Sequence, residues 1–318
     1  MKKIVVVALL VLSAGVALGQ FVKKHGALNV KGVQLVDSKG APIQLRGVSY
    51  GWHTFWPRFY NASSAGWLVK DWGATVLRAA MGVEPEDGYL KDPAWSEKLV
   101  TNVVDAAIKN DVYVIIDWHC HNVQLEAAKT FFKKMALKYG KYPNVIYEIF
   151  NEPERQSWKD VKAYSEEVIK VIRSIDPDNL ILVGTPHWDQ DVDVAADDPI
   201  VGQKNIMYTL HFYANTHRQE LRDKGSYALS KGLPLFVSEC ASMLATGDGP
   251  IDYQEWQKWI DWMEANKLSW IVWSISDKNE TCSMISPRAS SNGQWKSSDL
   301  RETGVLTRKT VRKYNGLN

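Results

Sequence analysis

Two glutamates stand in settings that suit chemistry. Asn151-Glu152-Pro153 closes the apolar run 144–150, and Glu239 closes a second run at 233–238. Each sits where a strand gives way to a loop, the place where α/β scaffolds keep reactive groups. A carboxylate pair placed this way is the minimum equipment for cleaving a glycosidic bond. One group acts as acid/base and the other as nucleophile or base. Further polar or aromatic residues collect at the ends of similar runs: Arg78, His119, His211, Tyr213 and Trp273. Packing gives a strand no reason to end in Arg, His or Glu, so their convergence predicts a functional rim.

Other chemistries find less support. His119 and His121 lie two apart with Cys120 between them, which suggests a metal pair. No third ligand follows at a suitable spacing, so no metal is expected. No Gly-x-Ser-x-Gly elbow is present, and no glycine-rich phosphate loop follows a strand. Asp117, inside an apolar run, is expected to be a hydrogen-bonded structural group.

The elements that must position these residues recur along the chain. Strand-like apolar runs cover 42–50, 74–81, 111–119, 144–152, 179–186, 205–213, 233–240 and 268–276, with helical patterns between them. Continuous apolar runs suit parallel strands covered on both faces. Eight such units predict a closed (β/α)8 barrel; an open doubly wound sheet is the alternative. Ser157 and Asp160 suggest a capping box before Val161, Tyr164, Val168, Ile172 and Ile175, spaced three to four apart. Trp256, Trp259, Ile260 and Met263 form another stripe, expected to pack on the barrel. Residues 32–46 read as a β-hairpin turning at Asp37 to Gly40 and plugging the barrel bottom. The basic cluster Arg308, Lys309, Arg312 and Lys313 reads as the solvated face of a last helix.

Residues 1–19 read as a signal peptide: Lys2-Lys3, an apolar stretch from Ile4 to Leu12, then Ala17-Leu18-Gly19. The protein is therefore expected to be secreted or periplasmic. Residues 20–318 are expected to form a single domain, long enough for one large barrel. They carry 36 basic and 36 acidic side chains, a balance that argues against a nucleic-acid partner. Three cysteines do not suggest a disulfide scaffold, and Cys120 and Cys240 read as small packed residues. Fourteen tryptophans and thirteen tyrosines suit a large aromatic core, a cleft paved with flat rings, or both.

Seven segments, in order, carry a resemblance. They are Arg46-Gly-Val-Ser49, Val76-Leu-Arg-Ala-Ala-Met81, Ile116-Asp-Trp-His119, Tyr147-Glu-Ile-Phe-Asn-Glu-Pro153, His211-Phe-Tyr213, Val237-Ser-Glu239 and Trp273-Ser-Ile-Ser-Asp-Lys-Asn279. From about Gly26 to Thr307 the chain resembles glycoside hydrolase family 5, and within it the bacterial and invertebrate endo-β-1,4-glucanases. The resemblance implies that Glu152 is the acid/base and Glu239 the nucleophile of a retaining hydrolase. Such an acid/base needs a pKa above that of a free glutamate. Arg78 and Tyr213 would keep Glu239 charged, and His211 would bond Glu152. Asn151 would bond the sugar 2-hydroxyl and His119 another hydroxyl of the same sugar, with Trp273 as its floor. Lys278 and Glu280 would hold the next sugar. His53 and Trp56 are candidates for the non-reducing side of the cleft, with Trp52 as an alternative. No cofactor is expected. The implied partner is a β-glucan or cello-oligosaccharide, met by a monomer without membrane contact after signal removal. The same machinery acting on β-mannan, xyloglucan or mixed-linkage glucan is the alternative, and a non-catalytic carbohydrate-binding protein is a more distant one.

Overall fold

A computed structural model describes residues 20–317. The expected signal peptide, residues 1–19, lies outside the described residues. A short helix (Phe21–His25) precedes two short strands, β1 (Asn29–Lys31) and β2 (Gln34–Val36), paired antiparallel. Eight parallel strands follow: β3 (Arg46–Tyr50), β4 (Val76–Gly82), β5 (Tyr113–His119), β6 (Val145–Glu148), β7 (Ile181–Val183), β8 (Ile206–Tyr213), β9 (Leu235–Ala241) and β10 (Trp270–Ile275). They close into a barrel in sequence order, with β10 pairing β3. Helices on the outside complete the (β/α)8 architecture that the alternating runs predict, and each predicted run overlaps one barrel strand, β4 and β9 running one residue further, to Gly82 and Ala241.

The strands are buried on both faces because helices cover the outside and side chains fill the inside. Closure demands a small residue at one seam. A Cβ on Gly47 of β3 would lie 1.8 Å from the carbonyl oxygen of Val76 on β4, so only glycine lets the two backbones approach. The helices begin at side-chain caps. The Asn61 side chain accepts from the Ser63 and Ser64 amides, Asp92 from Trp95, and Asp252 from Glu255. Ser157 accepts from the Asp160 amide, but its hydroxyl also bonds the Asp160 carboxylate at 2.6 Å, so the expected box is only half formed. On the helix Tyr253–Ala265, Trp259 stacks on Phe212 of β8 at 3.9 Å with 6° between planes. That tryptophan stripe is core, as expected.

Two expectations need correction. The hairpin turns one step earlier than predicted, at Gly32-Val33. The Asp37 to Gly40 turn also forms, because Asp37 Oδ1 accepts from the Lys39 and Ala41 amides. Only a single bridge, Val36 to Pro42, follows it. The plug itself is present: Leu35, Ile43 and Leu45 pack with Val76, Ile115, Met207 and Phe236 at the N-terminal strand ends. The C-terminal basic cluster is not simply solvated. On the helix Glu302–Tyr314, Arg308 makes a two-pronged bond to Asp71 (2.6 and 2.9 Å), and Arg312 donates to the Asp71 carbonyl.

Candidate active site

The strand register brings the polar residues together at one end of the barrel. It sets Asp117 beside Glu148 and His211 beside Glu239. Arg78 of β4 lies at the centre and is fully buried. Its Nε donates to Glu148 Oε2 (2.7 Å), its Nη1 to Glu239 Oε2 (2.9 Å) and its Nη2 to Asn151 Oδ1 (2.6 Å). Asp117 Oδ2 is 3.0 Å from Nη2. Three carboxylates around one guanidinium keep Arg78 charged despite burial. The second oxygen of Glu239 accepts from the Tyr213 hydroxyl at 2.7 Å.

Glu152 does not end a strand. β6 stops at Glu148, and the loop carrying Asn151 and Glu152 is fixed by two backbone bonds onto the end of β5, Asn151 N to Trp118 O and Glu152 N to Cys120 O. Glu152 Oε1 meets His211 Nδ1 at 3.0 Å, and Oε2 lies 3.4 Å from His121 Nε2. A carboxylate oxygen of Glu152 and one of Glu239 lie within 4.8 Å of each other. His211 Nε2 faces Ser238 Oγ (2.8 Å) and Asp189 Oδ2 (3.2 Å). His119 bonds Asp117 at 2.7 Å and stacks on Trp273, 9° from parallel. Asn151 spends its oxygen on Arg78, which leaves its buried Nδ2 without a protein partner.

The protonation pattern corrects one expectation. Burial raises the Glu152 pKa, but bonds from His121 and His211 outweigh it and hold the carboxyl down at about 2. Burial and then the charge of Glu152 push Glu239 up, against Arg78, His211 and Tyr213. This is the reverse of the expected order, and its cause is the pair of histidines that bond Glu152. Both His211 and His121 have raised pKa values, burial being overcome by the surrounding carboxylates. His119, buried and facing Arg78, stays neutral.

A cleft of about 640 Å³ runs over this rim, walled by Trp52, Phe55 and Trp56 and floored by Trp273. Lys278 and Glu280, paired at 2.5 Å, line it too. A second hollow of about 470 Å³ continues beyond Glu152 and Tyr213, lined by Trp188, Gln190 and His217. The two lobes meet at Glu152 and Tyr213 and form a trough with room on either side of Glu152. His53 is absent from both. Its Nδ1 accepts from the Gly82 amide (3.0 Å) and its Nε2 meets Ser96 Oγ (2.9 Å), while burial lowers its pKa to about 4. His53 is a structural residue, and the wall belongs to Trp52, Phe55 and Trp56. Sequence reasoning missed His121 as a partner of Glu152, and it missed Glu148 and Asp189. Glu148 carried a usable signal, a carboxylate inside an apolar run. Asp189 carried none, because its partner is on another strand. Glu152, His211 and Glu239 could together face a cation, but each is already engaged by a protein partner.

Comparison with known proteins places the chain. The cellulase model, glycosyl hydrolase family 5, matches residues 36–279. An endoglucanase of Clostridium saccharobutylicum is 45% identical over 293 residues, which are 90% of this chain and 65% of that protein. Endoglucanase A of Evansella cellulosilytica is 44% identical over 281 residues, 86% of this chain and 57% of that protein. The chain thus spans just under two thirds of the length of these curated relatives. A solved structure from Cytophaga hutchinsonii shares 47% identity with a TM-score of 0.92, covering 93% of this chain and 98% of that one. Fold, rim and sequence agree: the chain belongs to the cellulase family, glycosyl hydrolase family 5.

Proposed function

We propose that the protein is a secreted, single-domain endo-β-1,4-glucanase that cleaves internal bonds with retention of configuration. The observation that carries this reading is the approach of the Glu152 and Glu239 oxygens to within 4.8 Å. Retaining enzymes hold the pair at about 5–5.5 Å, whereas inverting enzymes leave room for a water between them. The trough extending to both sides of Glu152 suits a chain bound across it rather than an end held in a pocket. The relatives' names add support, and a variant of the Thermobifida fusca endoglucanase catalytic domain, 36% identical, was solved with cellotetraose.

In this mechanism Glu239 attacks the anomeric carbon while Glu152 protonates the leaving oxygen. A glycosyl-enzyme ester forms on Glu239, and water deprotonated by Glu152 then releases the sugar. Arg78 and Tyr213 supply the donors that keep Glu239 an anion. His211 and His121 hold the proton that Glu152 needs. A sugar chain entering the trough strips water from the site, which disfavours the charge-separated carboxylate–imidazolium pair and moves the proton onto Glu152. The unpartnered Asn151 Nδ2 would bond the 2-hydroxyl at the reacting sugar, an interaction that strengthens in the transition state. His119 would bond the same sugar over Trp273, and Lys278 and Glu280 the next one.

The test is release of reducing ends from carboxymethyl cellulose, run beside barley glucan, mannan and xylan, with NMR of the first-formed anomer. Fast cleavage of cellulose substrates giving initial β-product is expected. An α-product, or no glucan cleavage at all, would overturn the reading.

A further inference from the structure

Between β7 and the helix Val192–Asp197 the chain takes an unusual path. His187, Trp188 and Asp189 all adopt left-handed backbone angles (φ 59°, 55° and 59°), a costly run for residues other than glycine. The turn is tied to the loop that bears Glu152, because Trp188 N donates to Pro153 O at 3.0 Å. It also sends a fully buried carboxylate under the catalytic rim. Asp189 Oδ1 accepts from the Thr185 amide and Oδ2 from the Thr209 hydroxyl, each at 2.6 Å, and Oδ2 lies 3.2 Å from His211 Nε2. Since His211 Nδ1 bonds Glu152, the three side chains form a line from carboxylate to imidazole to carboxylate.

We propose that Asp189 is a positioning residue for the acid/base step: beside the far nitrogen of His211, whose hydrogen bond goes to Ser238 Oγ (2.8 Å), its carboxylate at 3.2 Å holds through that ring the proton that Glu152 delivers. The inference rests on the hydrolase reading above. Other groups face the same ring, so Asp189 does not act alone. Glu152 comes from the loop after β6, Glu148 from β6 (3.7 Å) and Glu239 from β9, with Arg78, Asp117, His119 and His121 around them. Burial lowers the His211 pKa, and the charge of Asp189 is the largest influence raising it. Burial raises the Asp189 carboxyl's own pKa, opposed first by His211 and then by the Thr209 hydroxyl, so the charge of Asp189 is itself tied to the ring it faces. In its carboxylate form Asp189 makes the Glu152–His211 pair keep its shared proton to higher pH. Removing that charge lets the proton leave the ring at lower pH.

Asp189→Asn is the test. Asparagine tolerates the left-handed angle and can still accept from Thr185, so the turn should persist. On cellotetraose the alkaline limb of kcat/KM should move down by about one pH unit, so that activity well above the limb falls about tenfold relative to wild type. On a dinitrophenyl cellobioside, whose leaving group needs no proton, that displacement should be much smaller. An unmoved limb in a variant that is merely slower at every pH, or equal displacement on both substrates, would overturn the proposal. NMR of ¹⁵N-histidine in the unsubstituted protein gives an independent reading: His211 should be an imidazolium at pH 7, and a neutral ring would also overturn it. Wild-type protein that cleaves no β-1,4-glucan would instead remove the hydrolase reading itself.

Discussion

Glu239 has two strong donors, one on each oxygen, and they differ in kind. Arg78 is charged at every working pH, whereas Tyr213 contributes a single hydrogen bond to the anion. Tyr213→Phe should therefore raise the Glu239 pKa and move the acidic limb of kcat/KM upward by about one pH unit, the worth of one bond to a charged group. A pH–rate profile beside a thermal melt checks this; an unmoved limb with a collapsed melt would make Tyr213 purely structural. Glu152→Ala should slow cellotetraose far more than aryl glycosides, and azide should partly restore the latter by replacing water as nucleophile. Equal damage to both substrate types would mean the roles are misassigned. His53 and Trp52, one residue apart, should part company. His53→Ala leaves the Gly82 amide and Ser96 hydroxyl without their partner and should cost about 1–3 kcal/mol of stability. Trp52→Ala should instead raise KM for long oligosaccharides. Melting curves and oligosaccharide kinetics on the two variants separate the effects.

At the scale of elements, the strand ends behave as one electrostatic unit. β4 supplies the cation, while β5, β6 and β9 supply the anions around it. Glu148 shows the consequence for stability. Burial would raise its pKa, but Arg78 and His211 hold it at about 2, below the ordinary value of 4.5. A depressed carboxylate stabilises the fold above its unfolded pKa and loses that contribution as pH falls toward the folded value. Glu148→Gln should therefore lower stability at neutral pH by about 1.5–3 kcal/mol, the worth of a hydrogen bond to a charged group, since Asp117 and Glu239 still face Arg78. It should also flatten the loss of stability between pH 4.5 and 2, measured by urea unfolding across that range. The strands and the carboxylate pair were legible in the sequence because apolar runs are contiguous and several carry a polar residue at or near their end. The neighbours of those residues were not. Asp189 and His121 act through partners on other strands and loops, and contacts of that kind have no linear spacing. The loop after β3 failed for a different reason. Trp52, His53, Phe55 and Trp56 follow neither a strand nor a helix period, so nothing in their order says which rings face the trough.

At the scale of the whole molecule, closure depends on both ends of the chain. The plug seals the N-terminal strand ends, and the last helix straps β3 to the turn at residues 71–73. Arg308 grips Asp71, and the Asn315 side chain donates to the carbonyls of Arg46 and Gly73. Asp71→Ala should lower the melting temperature by a few degrees, about 2–4 °C for each kcal/mol lost in a domain near this size. Turnover just below the transition should be unaffected, since the strap lies at the opposite end from the carboxylates. All of this architecture is held without a single covalent cross-link. Cys120, Cys240 and Cys282 are free thiols, each buried. Assembly therefore involves no thiol oxidation and no disulfide exchange. The same barrel should form in a reducing cytosol or outside the cell, and dithiothreitol should leave both its melting curve and its activity where they were.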